Sequence, residues 1–288
     1  MSINWPNALI VEIARRRCLI FIGSGVTASA IVTNDANRPK TWEVFLRDAC
    51  SLLKDTTINN EADSLIESKN YLLALQVIKD HSNTSDYNSY LTHCFNNPNH
   101  KPSKLHEVIR DIDSRIVVTT NFDKLYERFC ESSSSSYAYS IVNHYDNNLG
   151  DLIRSEQRVI IKAHGTINNL NNMIFTKSQY NEAKRKYIGF YEILKSLFIT
   201  HTCIFIGCGG DDPDISLVLQ DVHIASSSSH PHYFLTKINN FSPAKKRDLK
   251  DTYNIEALEY SPDHTALIDD LVALQEQVES YRATYPES

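Results

Sequence analysis

Four short segments of this chain concentrate residues that could do chemistry: Gly23-Ser24-Gly25-Val26, Thr119-Thr120-Asn121-Phe122-Asp123, His164-Gly165 and Gly207-Cys208-Gly209-Gly210-Asp211-Asp212-Pro213. Glycine permits a positive φ and lets backbone approach a ligand with no Cβ in the way. Glycine loops that open helices also present N–H groups to phosphate. The side-chain amide of Asn121 both donates and accepts, so it can fix a hydroxyl and a water in one arrangement. His164 is a candidate for proton transfer, since histidine is the side chain that ordinarily gains and loses a proton near neutrality. Each segment also has a plainer reading. Gly23-Ser24-Gly25 lacks the third glycine of a dinucleotide fingerprint and fits a tight turn. The Thr120, Asn121 and Asp123 cluster fits a helix cap, Asp212-Pro213 fits an ordinary helix opening, and His164 fits a hydrogen-bonded histidine at a strand end.

Glycine is scarce, at 8 of 288 residues, and six of the eight fall in these segments, leaving Gly150 and Gly189 elsewhere. Each segment directly follows a short apolar run. Such runs, at 18–22, 115–119, 159–161, 203–206, 232–236 and 255–258, read as strands. Apolar residues at mixed three and four spacings predict helices over 7–17, 61–80, 105–112, 122–130, 178–199, 214–224, 244–252 and 264–281. Near-continuously hydrophobic strands alternating with helices define an α/β chain with a parallel sheet of about six strands covered on both faces. In such sheets ligands bind outside the carboxyl ends of the strands, where all four segments are expected. The interval from 25 to 115 is too long for one connection, so a mostly helical insertion is expected over approximately 43–112, with a smaller one over approximately 131–157. The chain otherwise reads as a single domain over 1–288, with surface loops at the serine runs 132–136 and 226–229.

Composition removes several function classes. A net charge of −6 gives no general electrostatic reason to bind nucleic acid. The basic runs 184–186 and 245–247 read as solvated helix faces. No apolar run approaches 18 residues, so no membrane span is expected, and the start of the chain has no signal-peptide pattern. Six cysteines contain no C-x-x-C pair. They read as small buried hydrophobes in a cytoplasmic protein, and no metal site is expected.

Taken together, the four segments resemble the sirtuin-like (silent information regulator-like) domains of bacterial NAD-consuming anti-phage defence proteins. The resemblance runs from residue 23 to 213 and is carried by Gly23-Ser24-Gly25-Val26, Thr120-Asn121-Phe122-Asp123, His164-Gly165, and Gly207 and Gly209 with Asp212-Pro213. Trp42, following Pro39-Lys40-Thr41, is similar to the Pro-x-x-Trp that often follows the glycine loop in the bacterial branch. Protein-deacylating sirtuins carry a four-cysteine zinc module soon after the His-Gly pair, whereas residues 166–202 here contain no cysteine. Their Ala-Gly-Ile-Pro-Asp-Phe-Arg segment is replaced by Thr27-Ala28-Ser29-Ala30-Ile31.

The resemblance implies a Rossmann-like sheet and NAD as the substrate, cleaved at its nicotinamide–ribose bond through an oxocarbenium-like centre. It implies His164 as the general base, with Asn121 and Asp123 beside it. Gly23, Ser24, Gly25, Val26, Thr120, Gly165, Gly207 and Gly209 are then the NAD contacts. Transfer of ADP-ribose or an acyl group to a protein, or NAD sensing without catalysis, are the alternatives. The resemblance also implies phage defence by NAD depletion, gated by a homo-oligomer or by a partner such as a HerA-like hexameric ATPase or a sensor subunit. A 288-residue chain is expected to leave little room for a sensor domain of its own.

Overall fold

The computed structural model describes residues 2–33, 37–132, 139–209 and 230–286. The expected helix over 214–224, the serine runs at 133–136 and 226–229, and Gly210 to Pro213 therefore lie outside the described residues. In chain order the first elements are α1 (Asn7–Ala14), β1 (Cys18–Ile22), α2 (Ser24–Ala28) and β2 (Ile31–Val32). Four helices follow: α3 (Trp42–Ala49), α4 (Thr56–Glu67), α5 (Tyr71–His81) and α6 (Thr84–Phe95). Next come β3 (His100–Lys101), α7 (Lys104–Asp111), β4 (Ile116–Thr119), α8 (Leu125–Ser132), β5 (Tyr139–Asn143), α9 (Leu149–Arg154) and β6 (Arg158–Lys162). The chain continues with α10 (Lys177–Lys186), α11 (Ile188–Thr200), β7 (Thr202–Ile206), β8 (His232–Lys237), α12 (Pro243–Tyr253), β9 (Ile255–Tyr260) and α13 (His264–Thr284).

Seven strands form one parallel sheet in the order β5-β6-β4-β1-β7-β8-β9. β1 is central, with Ile20 opposite Val117 on one side and Ile204 on the other. All five of its side chains are apolar because both faces are covered. Leu19 and Phe21 enter a core with Phe198, Phe205 and Leu194, while Cys18, Ile20 and Ile22 enter the opposite core with Leu9, Ile13 and Leu271. Fully burying one such side chain contributes about 2 kcal/mol, so this strand anchors both layers. After β1 the chain builds outward to β5 and β6, then returns to the other flank of β1 through β7. The direction of winding thus reverses between β1 and β7, the place where open α/β sheets bind ligands.

The seventh strand is β5, inside the stretch read as the smaller insertion. It lies at the sheet edge and only Val142 of its five residues is fully buried, so it lacks the continuous apolar run that marks the inner strands. The helix expected over 61–80 is two helices. Residues 68–70 reverse the chain: Lys69 takes a φ of 59° and the Asn70 N–H donates to the Leu65 carbonyl at 2.8 Å, a helix-terminating geometry. The reversal lets Ala62 and Ile66 of α4 pack in one core with Ala74, Leu75 and Ile78 of α5. The helix expected over 178–199 likewise divides at Tyr187. Helices α3 to α6 supply a third core, closed by Phe122, Ile167, Met173 and Phe175 from the strand-end loops of the main sheet. Among the described residues no helix is long and apolar enough to cross a membrane.

Candidate functional site

Gly23 and Gly25 open the loop after β1, and Gly207 follows β7, on the two sides of the winding reversal. Their backbones meet. The Gly23 N–H donates to the Ile206 carbonyl at 3.0 Å and the Gly25 N–H to the Gly207 carbonyl at 2.7 Å. A Cβ on Gly25 would stand 2.7 Å from the Gly207 oxygen, and one on Gly207, whose φ is +68°, 2.7 Å from the Val26 nitrogen. These glycines are required because two loops pack backbone to backbone. Gly207→Ala is therefore expected to cost about 2 kcal/mol or more through strain and overlap. Gly189→Ala, where a Cβ meets nothing within 4 Å at the start of α11, should be neutral or stabilising by about 0.5 kcal/mol. Urea unfolding of the two variants beside the parent protein checks the contrast.

Behind this junction, the loop after β4 carries a chain of hydrogen bonds. Thr119 Oγ1 donates to the Ile22 carbonyl at 2.9 Å and accepts from the Asn121 N–H at 3.0 Å. The Asn121 side-chain amide donates to the Gly23 carbonyl at 2.9 Å and to Thr27 Oγ1 at 3.1 Å. Thr27 in turn donates to Asp123 Oδ2 at 2.5 Å, while Asp123 Oδ1 accepts the Leu125 N–H at 2.9 Å. Asp123 thus caps α8, which begins at Leu125 instead of the expected 122 because residues 120–124 are held in this network. A carbonyl such as that of Gly23 only accepts, which orients the amide of Asn121. Both amide hydrogens are used, and among the described residues nothing donates to Asn121 Oδ1.

Ser24, Thr27, Thr120, Asn121 and Asp123 form the polar side of a cleft of about 640 Å³, open mouth included. Trp42, Phe45, Phe95, Phe122 and Phe175 form its apolar side, with Lys40 and Cys94 also lining it. Phe122 and Phe175 stack with centroids 4.0 Å apart, and Trp42 meets Phe175 edge-on at 6.2 Å. Lys40 is balanced by Asp48 at 2.7 Å and lies over the Tyr90 ring. Burial pushes the Cys94 thiol up, against the opposing pull of Lys40.

The structure thus brings together four of the residues expected from the sequence, Ser24, Thr120, Asn121 and Asp123, in one cleft. Gly23, Gly25, Val26, His164, Gly165, Gly207 and Gly209 are not among its lining residues. His164 is 1% exposed and packs edge-on against Tyr180. Gly165, with a φ of +82°, lies against the Asn172 carbonyl and the ring of His144. His144 follows β5, and burial, helped by the charges of His164 and Lys186 and opposed by Asp146, lowers it to about 4. His106 of α7 is also lowered to about 4 by burial, against the opposing charge of Asp123.

Several residues of the site carry no sequence signal that the spacing of motifs could use. Thr27 is one turn beyond the glycine loop. Phe45, Phe95 and Phe175 come from distant segments and meet only through the third core. Lys162 is different: a lysine ending an apolar strand just before Ala163-His164-Gly165 is visible in the sequence. Among the described residues no group of three or more His, Cys, Asp or Glu side chains could hold a metal ion.

A doubly wound parallel sheet with a polar and aromatic cleft at the carboxyl ends of its strands defines an α/β protein built to take a small ligand. The profile of the SIR2-like domain matches residues 115–258, half of the chain, and the chain belongs to that family. It is 22% identical over 282 residues to the NAD(+) hydrolase ThsA of Acinetobacter baumannii, covering 94% of this chain and 55% of that protein. It is 26% identical over 159 residues to the NAD(+) hydrolase ThsA of Enterococcus faecium, covering 54% of this chain and 33% of that one. It is also 26% identical over 140 residues to the defense-associated sirtuin 2 of Bacillus subtilis, covering 47% and 13%. The chain thus spans about half or less of the length of these relatives.

Proposed function

We propose that this chain is an NAD glycohydrolase, which with one water converts NAD to nicotinamide, ADP-ribose and a proton. The observation that carries the reading is Asn121, whose two amide hydrogens are taken by Gly23 and Thr27. Its Oδ1 is left as a fixed acceptor on the polar side of an aromatic cleft. An acceptor held in one direction orients a ribose hydroxyl or the attacking water. The aromatic wall suits a flat pyridine ring, and the Asp123 carboxylate, held by Thr27 and Leu125, suits the positive charge that develops at the sugar carbon. His164 is assigned the proton. This assignment requires the residues around it to move when substrate is seated, since the ring is 1% exposed.

The names of the relatives support NAD as the substrate and defence as the setting. Six free cysteines support a reducing, cytoplasmic compartment. An unrestrained hydrolase would exhaust the NAD of its own cell. We therefore infer that self-assembly or a partner, such as a HerA-like ATPase or a sensor subunit, gates the activity.

Incubation of the purified chain with NAD, alone and with its cellular partners, tests the reading. Nicotinamide and free ADP-ribose are expected in a 1:1 ratio. Nicotinamide without matching free ADP-ribose would overturn hydrolysis in favour of transfer, and tight NAD binding without turnover in every mixture would overturn catalysis.

A further inference from the structure

β6 is apolar in its centre and ends on Lys162, whose side chain is 1% exposed. Its Nζ lies 2.5 Å from Oε1 of Glu127, in the first turn of α8 and 3% exposed, and donates to the Asp123 carbonyl at 2.6 Å. The Lys162 carbonyl accepts the N–H groups of His144 at 3.2 Å and Gly165 at 3.3 Å. One residue thus binds the loop after β4, the first turn of α8, and the strand ends that carry both histidines.

Stability alone does not account for the pair. Two charges taken out of water lose hydration that their attraction repays only in excellent geometry, and apolar replacements of such pairs are often as stable or more so. Burial pushes the Glu127 carboxyl upward, and the Lys162 ammonium beside it opposes that push. Place is the remaining explanation. The carboxylate of Asp123 is gripped by Thr27 and the Leu125 N–H, and its carbonyl by Lys162. Residues 120–123 are therefore fixed from α2, α8 and β6 together. Glu127 also cancels the charge of an ammonium that would otherwise stand beneath a cleft meant for a cationic transition state.

We propose that Lys162 and Glu127 are positioning residues of the site: an electrically neutral buried pair that fixes the Asp123 backbone and, through it, the direction of Asn121 Oδ1. The role rests on the hydrolase reading above. It separates the pair from the catalytic groups, since neither side chain lines the cleft.

The double variant Lys162→Met with Glu127→Leu tests it. The expected result is a folded chain with an unchanged or raised melting temperature, a kcat for NAD cleavage at least ~30-fold lower, and a KM within about threefold of the parent. Amide hydrogen exchange, read without substrate, should quicken at least ~10-fold at Asn121 and Leu125 while the central strands keep their protection. Glu127→Gln keeps the shape but leaves the Lys162 charge unbalanced. It should lower kcat with KM nearly unchanged, and it carries the same test if the double variant does not fold. Parental kcat with parental exchange at Asn121 and Leu125 would overturn the positioning role. A parent chain that cleaves no NAD, alone or with its cellular partners, overturns the hydrolase reading instead, and the exchange measurement then still decides whether the pair holds the loop.

Discussion

Asn121→Ala should leave a folded protein that releases nicotinamide at least ~100-fold more slowly than the parent. The magnitude follows from what is removed. A fixed acceptor that orients the attacking water or a ribose hydroxyl contributes through geometry and through charge developed in the transition state, effects typically worth about 10²–10³ in rate. The structural cost is smaller. Asn121 is half-buried, and its loss takes one donor from the Gly23 carbonyl, which still accepts the Val26 N–H at 3.1 Å, and one from Thr27 Oγ1, which lines the cleft. About 1 kcal/mol and a melting temperature lower by about 2–4 °C are expected. Thr27→Val makes the complementary cut. It keeps the Asn121 oxygen but breaks the bridge between Asn121 and Asp123, so a loss of about tenfold, between parent and Asn121→Ala, is expected. Stopped-time assays of nicotinamide release with thermal melts of the same samples check both. Unchanged release by folded Asn121→Ala would remove this residue from the reaction.

The way this site is assembled explains how much of it the sequence could disclose. β1, β4, β6 and β7 are legible because strands with two covered faces need apolar side chains at every position, and Cys18–Ile22 shows that directly. β5 escapes because an edge strand buries little. Asn121 and Asp123 are legible because a Thr-Thr-Asn-Phe-Asp run at a strand end has few other uses besides capping. Asp123 caps α8, accepting the Leu125 N–H with one oxygen, and accepts Thr27 with the other. The glycines were visible for a reason that proves different in detail. Their missing Cβ atoms allow the β1 and β7 loops to touch, and the N–H groups of Gly23 and Gly25 are spent there.

The aromatic wall was hidden for a topological reason. Phe45 and Phe95 sit in α3 and α6, Phe175 lies just before α10, and Phe122 belongs to the polar loop itself. Nothing local in any of these segments distinguishes a core aromatic from a cleft aromatic, and here the same rings serve as both. Helices α3 to α6 therefore do more than cover one end of the sheet. They complete a cleft that the strand ends alone leave open. Lys162 is visible as a strand-ending lysine, but its burial is not: such a lysine ordinarily extends its stem and reaches water, whereas here Glu127 of α8 and the Asp123 carbonyl take its ammonium.

Acid should unfold this protein steeply between pH 6.5 and about 4, and three buried histidines set the window. His106, His144 and His232 are each lowered from 6.5 to about 4, in every case mainly by burial. Two of them are also held neutral by geometry. His106 Nδ1 accepts the Ser103 N–H at 3.1 Å, and His232 Nδ1 accepts the Cys203 N–H at 3.0 Å. Protonation at Nδ1 would break either bond. A base whose folded pKa is depressed leaves the unfolded chain binding more protons, so its stabilising effect is complete above pH 6.5 and is lost as pH falls toward the folded value. At pH 5 each histidine then costs about 2 kcal/mol. Together they cost up to about 6 kcal/mol, comparable to the whole stability of an ordinary domain. Urea unfolding at pH 7.5, 6 and 5 checks the slope, and a stability unchanged between 7.5 and 5 would refute it. His232→Asn, which keeps an acceptor for Cys203 but does not titrate, should reduce proton uptake on unfolding by about one at pH 5. Because His106 lies near Asp123, which lines the cleft, its protonation should loosen the cleft. NAD cleavage is therefore expected to fall at a higher pH than the unfolding midpoint.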